Sequence, residues 1–334
     1  MTTRTVYFAT NRNPNKKIQP DDFGPDFSER GLADLRFGEA DVEGPPYEVK
    51  AVRVAPENLA PKSGKQKLGS LEVFGKVREN MSETKQDTLI YIHGFNVTFK
   101  DGLATAARLA DNLPAYPMNV FLFSWPSDGT LFPWVSYFKD RHDAKASGLA
   151  FARGFLKVVD YLGEMTPQQA CGRKIHLLAH SMGNYVLRNA LQEMRKFQAG
   201  DLPRLFESIF LMAADEDDDA FEVDYKLLYL PNLARRVHVY FNHEDLALEV
   251  SDKTKANPDR LGTDGPRHPR QLPGKVTLVD CTAVVHGFEE HHYYVEKDKC
   301  PQVTADLLQI LQGIPPEQIT GRTYIPETNR YRLG

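Results

Sequence analysis

A serine hydroxyl becomes a nucleophile when a tight turn lifts it clear of its neighbours and a base takes its proton. The string Ala179-His180-Ser181-Met182-Gly183 has the right residues for such a turn, with small side chains on both sides of the serine. An apolar run at 175–179 precedes it, and a helical stripe of Val186, Leu187, Ala190, Leu191 and Met194 follows. The first N–H groups of that helix then face any negative charge that develops beside Ser181. A small-x-Ser-x-Gly string recurs by chance; its place between a buried strand and an amphipathic helix is what gives it meaning.

A serine nucleophile also needs a base, an acid that orients the base, and donors for the oxyanion. Where a serine sits on such an elbow, the acid and the histidine follow it in chain order, just after later strands. Asp245 is the favoured acid, following the run at 237–241 across a short loop. It would also serve as a helix N-cap for Leu246-Ala247-Leu248. Its rival is Asp215, which opens the acidic run 215–219. That run lacks the spacing of a calcium loop and reads as negative charge at the start of a helix over 221–230. The base candidates are His286, His291 and His292. An isolated histidine is usually an ordinary polar residue, but the chain order raises the chance that one of these three acts on Ser181.

The two oxyanion donors are expected to be backbone N–H groups of Met182 and of Phe95, with Asn96 the alternative to Phe95. Gly94 permits the turn that would present them. The bland reading of His93-Gly94 is a strand-to-loop turn with a buried histidine. His93, Gly94, Asn96, Trp125 and His180 are expected around the substrate pocket. No HExxH or HxxEH string occurs and no cysteine lies in a CxxC pair, so no metal site is predicted, and the chemistry needs no cofactor.

Apolar runs at 88–92, 119–124, 175–179, 208–213, 237–241 and 276–279 read as buried parallel strands. Helical patterns lie between or after them at 101–113, 146–162 and 303–311. Alternation of this kind predicts a mostly parallel sheet with helices on both faces. The segment 1–83 is polar and punctuated by Pro and Gly, with strand candidates at 6–10, 48–54 and 70–74 that would form an antiparallel edge. Two connections are long. Residues 126–144 carry Phe132, Trp134, Tyr137 and Phe138 and read as a lid, whereas 251–274 reads as a solvated insert. The whole, 1–334, is expected to be one domain.

The chain has 334 residues, of which 41% are apolar and 26% charged, with a net charge of -4. That balance gives no reason to expect nucleic acid as a partner. No apolar run is long enough to span a membrane. Met1 to Phe8 lacks the apolar stretch of a leader, and three scattered cysteines suit a reducing compartment, so a cytoplasmic location is expected.

Ile92-His93-Gly94-Phe95-Asn96, Phe123-Ser124-Trp125-Pro126-Ser127, Ala179-His180-Ser181-Met182-Gly183-Asn184 and the block 242–248 resemble the signature blocks of a bacterial α/β-hydrolase family of unknown function in the esterase/lipase superfamily. The early Phe8-Ala9-Thr10-Asn11-Arg12 is similar to its opening strand. The resemblance implies an α/β-hydrolase fold, Ser181 as nucleophile and Asp245 as acid. The family's His-x-aromatic pattern suits His291 and His292, and His291 better, because two aromatics follow its spacer. The leading expectation is therefore a serine hydrolase cleaving a small-molecule ester, with the aromatic residues of 126–144 hinting at an apolar acyl group. Thioesterase or amidase chemistry would use the same residues. A fold of this type that has lost catalysis and only binds is the alternative from another class, and a lipid-surface enzyme with an opening lid is a third.

Overall fold

The computed structural model describes residues 2–57, 67–127, 133–197, 201–245, 247–248, 259–286 and 291–334, with the backbone alone at 133–136. An eleven-stranded sheet runs through the molecule in the order β12-β13-β11-β10-β9-β8-β6-β7-β1-β4-β5. Its parallel centre consists of β1 (Thr2–Thr10), β7 (Met118–Ser124), β6 (Asp87–Ile92), β8 (Ile175–His180), β9 (Phe206–Met212), β10 (Ala234–Phe241), β11 (Val276–Asp280) and β13 (Arg330–Leu333). Antiparallel strands close both edges: β4 (Arg36–Gly44) and β5 (Glu48–Val54) at one, β12 (Arg322–Ile325) at the other. A small hairpin of β2 (Arg12–Pro14) and β3 (Phe23–Phe27) stands apart.

The central strands are apolar on both sides because both sides are covered. In β8, Leu177 and Ala179 join the core on one face and Leu178 the core on the other. The first face carries α1 (Gly69–Thr84), α3 (Pro133–Gly163) and α4 (Gly183–Phe197); the second carries α2 (Phe99–Asp111) and α5 (Pro301–Leu311). Each fully buried Leu or Val in these layers contributes about 1.5–3 kcal/mol. The start of α2 is set by Thr98, whose hydroxyl accepts from the Asp101 N–H at 3.2 Å. Among the described residues no helix is long and apolar enough to cross a membrane.

Four expectations need correction. Residues 70–74 are not a strand but the opening of α1, where Ser70, Val73, Phe74 and Met81 fall on one buried face at helical spacing. Residues 221–230 form successive turns instead of a helix, ending in a short 3-10 turn at Leu230–Leu233. Residues 133–144 are not a loop but the first turns of α3, which continues without a break to Gly163. Phe132 and the Trp134 side chain lie outside the described residues.

The insert is the fourth. Positions 251–258 fall outside the described residues; of the rest, 260–263 are buried whereas none of 267–274 is, so the departure from a solvated excursion is confined to the first part. Arg260 and Leu261 are fully buried. Leu261 donates to the Glu216 carbonyl and Gly262 to that of Ala214, so the segment docks on the chain leaving β9.

The same docking explains the acidic run 215–219. Arg260 reaches Asp217 at 3.1 Å and Asp215 at 3.5 Å, Arg188 reaches Glu216 at 3.0 Å, and Arg267 grips Asp218 with two bonds. Lys226 bonds Asp217 at 2.8 Å and also contacts Asp219. The carboxylates pair with these cations, of which Arg260 and Lys226 are buried and Arg267 is exposed, and do not cap a helix. Burial pushes the Glu216 carboxyl above its usual range, and Arg188 pulls it back.

Candidate active site

Ser181 sits in the turn between β8 and α4 with φ of +50°, a left-handed conformation that a non-glycine residue adopts only under constraint. The constraint is visible. Its N–H donates to the Met212 carbonyl at 2.9 Å, and its carbonyl accepts from Asn184 N–H, Asn184 Nδ2 and Asp215 N–H. A Cβ added to Gly183 would lie 2.6 Å from the carbonyl oxygens of Ile92 and His93. A Cβ on Gly94 would lie 3.0 Å from the Ser181 Cβ. The serine turn and the loop after β6 are thus pressed together at the carboxyl ends of neighbouring strands, and glycine is needed on both sides of the contact.

Asp245 follows β10 and is buried. Its Oδ1 accepts from the N–H groups of Ala247 and Leu248 at 3.1 and 3.2 Å, and its Oδ2 accepts from His291 Nδ1 at 2.7 Å. One carboxylate therefore caps the following chain and holds an imidazole. With Nδ1 donating, the lone pair of His291 is left on Nε2. Asp215 is not near a histidine in this way; it takes the Tyr137 hydroxyl at 2.7 Å and the Arg141 guanidinium at 3.4 Å.

The histidine loop is fastened from below. Tyr293 Oη accepts from the Ala213 N–H at 2.8 Å and donates to the Tyr240 carbonyl at 3.1 Å. Tyr294 Oη and Tyr91 Oη bond each other at 2.7 Å. The His180 Nε2–H donates to the His291 carbonyl at 3.1 Å, and the rings of His180 and His291 lie 4.7 Å apart. Since His180 directly precedes Ser181, this contact brings the serine turn and the Asp245-bonded imidazole to one place. His292 packs its ring against His180 at 4.9 Å and keeps an outer side in solvent. Its pKa is pushed down to about 4, chiefly by burial of that ring and also by His291. His286 is exposed and faces Glu244 at 3.4 Å. Burial holds His180 well below the ordinary imidazole value.

His93 and Trp125, expected around the substrate pocket, lie beneath the surface. Both are fully buried and stack at 5.2 Å. The Trp125 N–H donates to His93 Nε2 at 3.2 Å, so His93 carries its proton on Nδ1 and donates it to the Gly94 carbonyl at 2.9 Å. Burial and then Arg12 push His93 down to about 3, so it stays neutral. His180 is likewise buried and acts on the backbone of His291. Gly94 and Asn96 lie in the loop beside Ser181, with Asn96 at φ of +59°.

Sequence reasoning missed the residues that brace this loop. Arg12 is buried and reaches the Val97 carbonyl at 2.6 Å, the Ser127 carbonyl at 3.2 Å and Ser124 Oγ at 2.9 Å. Asp140 Oδ2 accepts from Ser127 Oγ at 2.6 Å and the Asn96 N–H at 3.4 Å, while Val97 N–H donates to Ser127 Oγ. Asn96 N–H is therefore occupied. The N–H groups of Met182 and Phe95 make no hydrogen bond among the described residues. The signal for Arg12 was its place directly after an apolar strand, where a buried arginine needs many acceptors.

A mostly parallel sheet covered on both faces, with a serine forced to positive φ between strand and helix, defines a protein of the α/β-hydrolase fold. The chain belongs to the family described as alpha/beta hydrolase of unknown function (DUF900), whose model matches residues 73–310. It is also similar to the uncharacterized protein alr1448 of Nostoc sp. (strain PCC 7120), 27% identical over 191 residues. That match covers 49% of this chain and 46% of the Nostoc protein, so the chain spans less than half of that relative's length. Among solved structures, an esterase of Pyrobaculum calidifontis in its monoclinic form is 13% identical, with a TM-score of 0.35 over 93% of this chain and 88% of that one. That likeness is too loose to bear on function.

Proposed function

We propose that the chain is a serine hydrolase that cleaves a carboxylic ester through an acyl-enzyme. Ser181 Oγ attacks the carbonyl carbon and passes its proton to His291 Nε2. Asp245 keeps the Nδ1–H tautomer in place and stabilises the imidazolium. The N–H groups of Met182 and Phe95 bind the tetrahedral oxyanion. His291 returns the proton to the leaving alkoxide. Water then attacks the acyl carbon as it gives a proton to His291, and His291 passes that proton to Ser181 Oγ as the bond to the serine breaks and the acid leaves.

The observation that carries this reading is the 2.7 Å bond between His291 Nδ1 and buried Asp245, formed beside a serine held at positive φ. The pairing favours His291 over His292 as the base. The aromatic rings of Phe95 and Tyr137, 6.0 Å apart beside the oxyanion loop, suit an apolar acyl group. A fluorophosphonate probe tests the reading: the native chain should label at Ser181, and Ser181→Ala should not. p-Nitrophenyl esters of graded length should be turned over by the native chain, by His292→Ala to a reduced extent, and not by His291→Ala. A native chain that neither labels nor hydrolyses any of them would refute the proposal.

A further inference from the structure

A cavity lies at the other end of β8 from Ser181. It holds about 970 Å³ between α1, α3 and the sheet, within the range of small-molecule sites. α3 lies along α4 and touches α1 only lightly, which leaves this space between the two helices. Its walls are aromatic and aliphatic: Phe74 and Val77 from α1, Phe121 from β7, Phe155, Val158 and Tyr161 from α3. It runs from the level of Thr88 to that of Phe123, which pairs with Ile92. Four strand residues at 3.3 Å each make this about 13 Å deep. That depth and these apolar walls suit an extended alkyl chain.

The mouth has a different chemistry. It opens at the amino ends of the strands, where Arg78, Arg173, Lys174, Arg204 and Arg235 surround a single carboxylate, Glu207. Lys174 and Arg235 share Glu207 at 3.7 and 3.6 Å. Arg78 and Arg173 donate to the neutral carbonyls of Gln169 and Lys85. Of the lining residues five are cationic and one is anionic, with Asp87 behind them accepting from the Lys174 N–H at 2.9 Å, so the mouth is net positive in a chain whose net charge is -4. Lys174 adjoins the start of β8 and Ser181 its end, so the six residues of β8, or about 20 Å, separate this mouth from the serine.

We propose that this cavity binds a single-chain amphiphile with an anionic head, such as a long-chain carboxylate. The chain lies between α1 and α3, and the head rests among the arginines of the mouth. The site is separate from Ser181, and the proposal stands whether or not the hydrolase reading does.

Cys171 offers a local reporter. It lines the cavity and is partly accessible, whereas Cys281 and Cys300 are fully buried. Monobromobimane should therefore modify Cys171 first. Dodecanoate below its micelle concentration should slow that reaction at least fivefold, in the native chain and in Ser181→Ala alike. Dodecanol and dodecyltrimethylammonium should slow it less than twofold. Charge reversal at the exposed residues, Arg173→Glu with Arg204→Glu and Arg235→Glu, should weaken dodecanoate binding measured by calorimetry at least tenfold and leave ester hydrolysis unchanged. Gly154→Phe should abolish binding, because a Cβ there meets only Leu35 Cδ1 at 3.6 Å and the ring would enter the cavity. No protection of Cys171, equal protection by all three head groups, or full affinity in the triple variant or in Gly154→Phe would overturn the proposal.

Discussion

Replacing Asp245 by Asn separates its two jobs. The side chain keeps an oxygen that can accept from the Ala247 and Leu248 N–H groups, now 3.1 and 3.2 Å away. An Asp-to-Asn change at a cap costs only a few tenths of a kcal/mol, so the fold should survive. The other half of the group becomes an NH2 facing His291 Nδ1, which now sits 2.7 Å from Oδ2. Two donors cannot share that contact. The imidazole must move its proton to Nε2 and accept at Nδ1, and it can then no longer take the Ser181 proton. In other triads this tautomer error lowers kcat by about 10⁴. That corresponds to about 5 kcal/mol of barrier. The assay is steady-state hydrolysis of a p-nitrophenyl ester, with a thermal melt as the control for folding. The rival variant, Asp215→Asn, loosens Arg141 and Arg260 and should cost about 1–3 kcal/mol of stability, while kcat stays within tenfold of native. An Asp245→Asn enzyme within tenfold of native kcat/KM, or an Asp215→Asn enzyme reduced by 10³ while folded, would refute the assignment of the acid.

Gly183→Ala should destabilise the chain by more than about 2 kcal/mol in urea titration, because two backbone carbonyls block the added methyl at 2.6 Å. Tyr293→Phe removes one acceptor and one donor beneath the histidine loop and should cost about 1–3 kcal/mol, with kcat falling more than KM rises. Stability should also fall in acid. His93, at about 3, and His180 and His238, held well below 6.5 by burial, stay neutral when folded but take up protons near pH 6.5 when unfolded. The unfolded state thus binds more protons, so stability is full above about pH 6.5 and drops as pH falls, by up to about 4 kcal/mol per unit if all three contribute. Urea titrations at pH 7, 6 and 5 check the sign, and equal midpoints at all three would refute it.

The parallel centre was legible because buried strands such as those at 175–180 and 237–241 are almost wholly apolar, and the turn at Ser181 because small residues mark it on both sides. The histidine loop was legible as a pair, 291 and 292 both preceding an aromatic after one residue, with 291 the better match; in the structure it is 291 that bonds Asp245. What escaped notice was carried by polar residues. β4 alternates Phe37, Ala40 and Val42 with charges and glycines, too weak a pattern for a strand read alone. The hairpin β12–β13 has few apolar residues and pairs with β11 only through two positions. The acidic run suggested a helix start because its partners, Arg260 and Arg267, lie more than forty residues on. No local pattern encodes a neutralising cation at that distance.

The same physics explains how the site is held. None of the residues proposed to take part sits on a strand or an α-helix: Ser181, Phe95 and Asp245 lie just beyond the carboxyl ends of strands, and His291 in a short 3-10 turn later in the chain. Loops alone would not fix them to within a fraction of an ångström. Their anchors come from elsewhere in the chain: Arg12 from β2 on the 93–97 loop, Asn184 from α4 on the serine turn, Tyr293 on β9 and β10. Each anchor is a buried polar group whose bonds form only once the sheet is complete. Burying them unpaired would cost several kcal/mol, so the arrangement tolerates little slack. Activity should therefore be lost cooperatively with the fold, instead of fading as individual loops loosen.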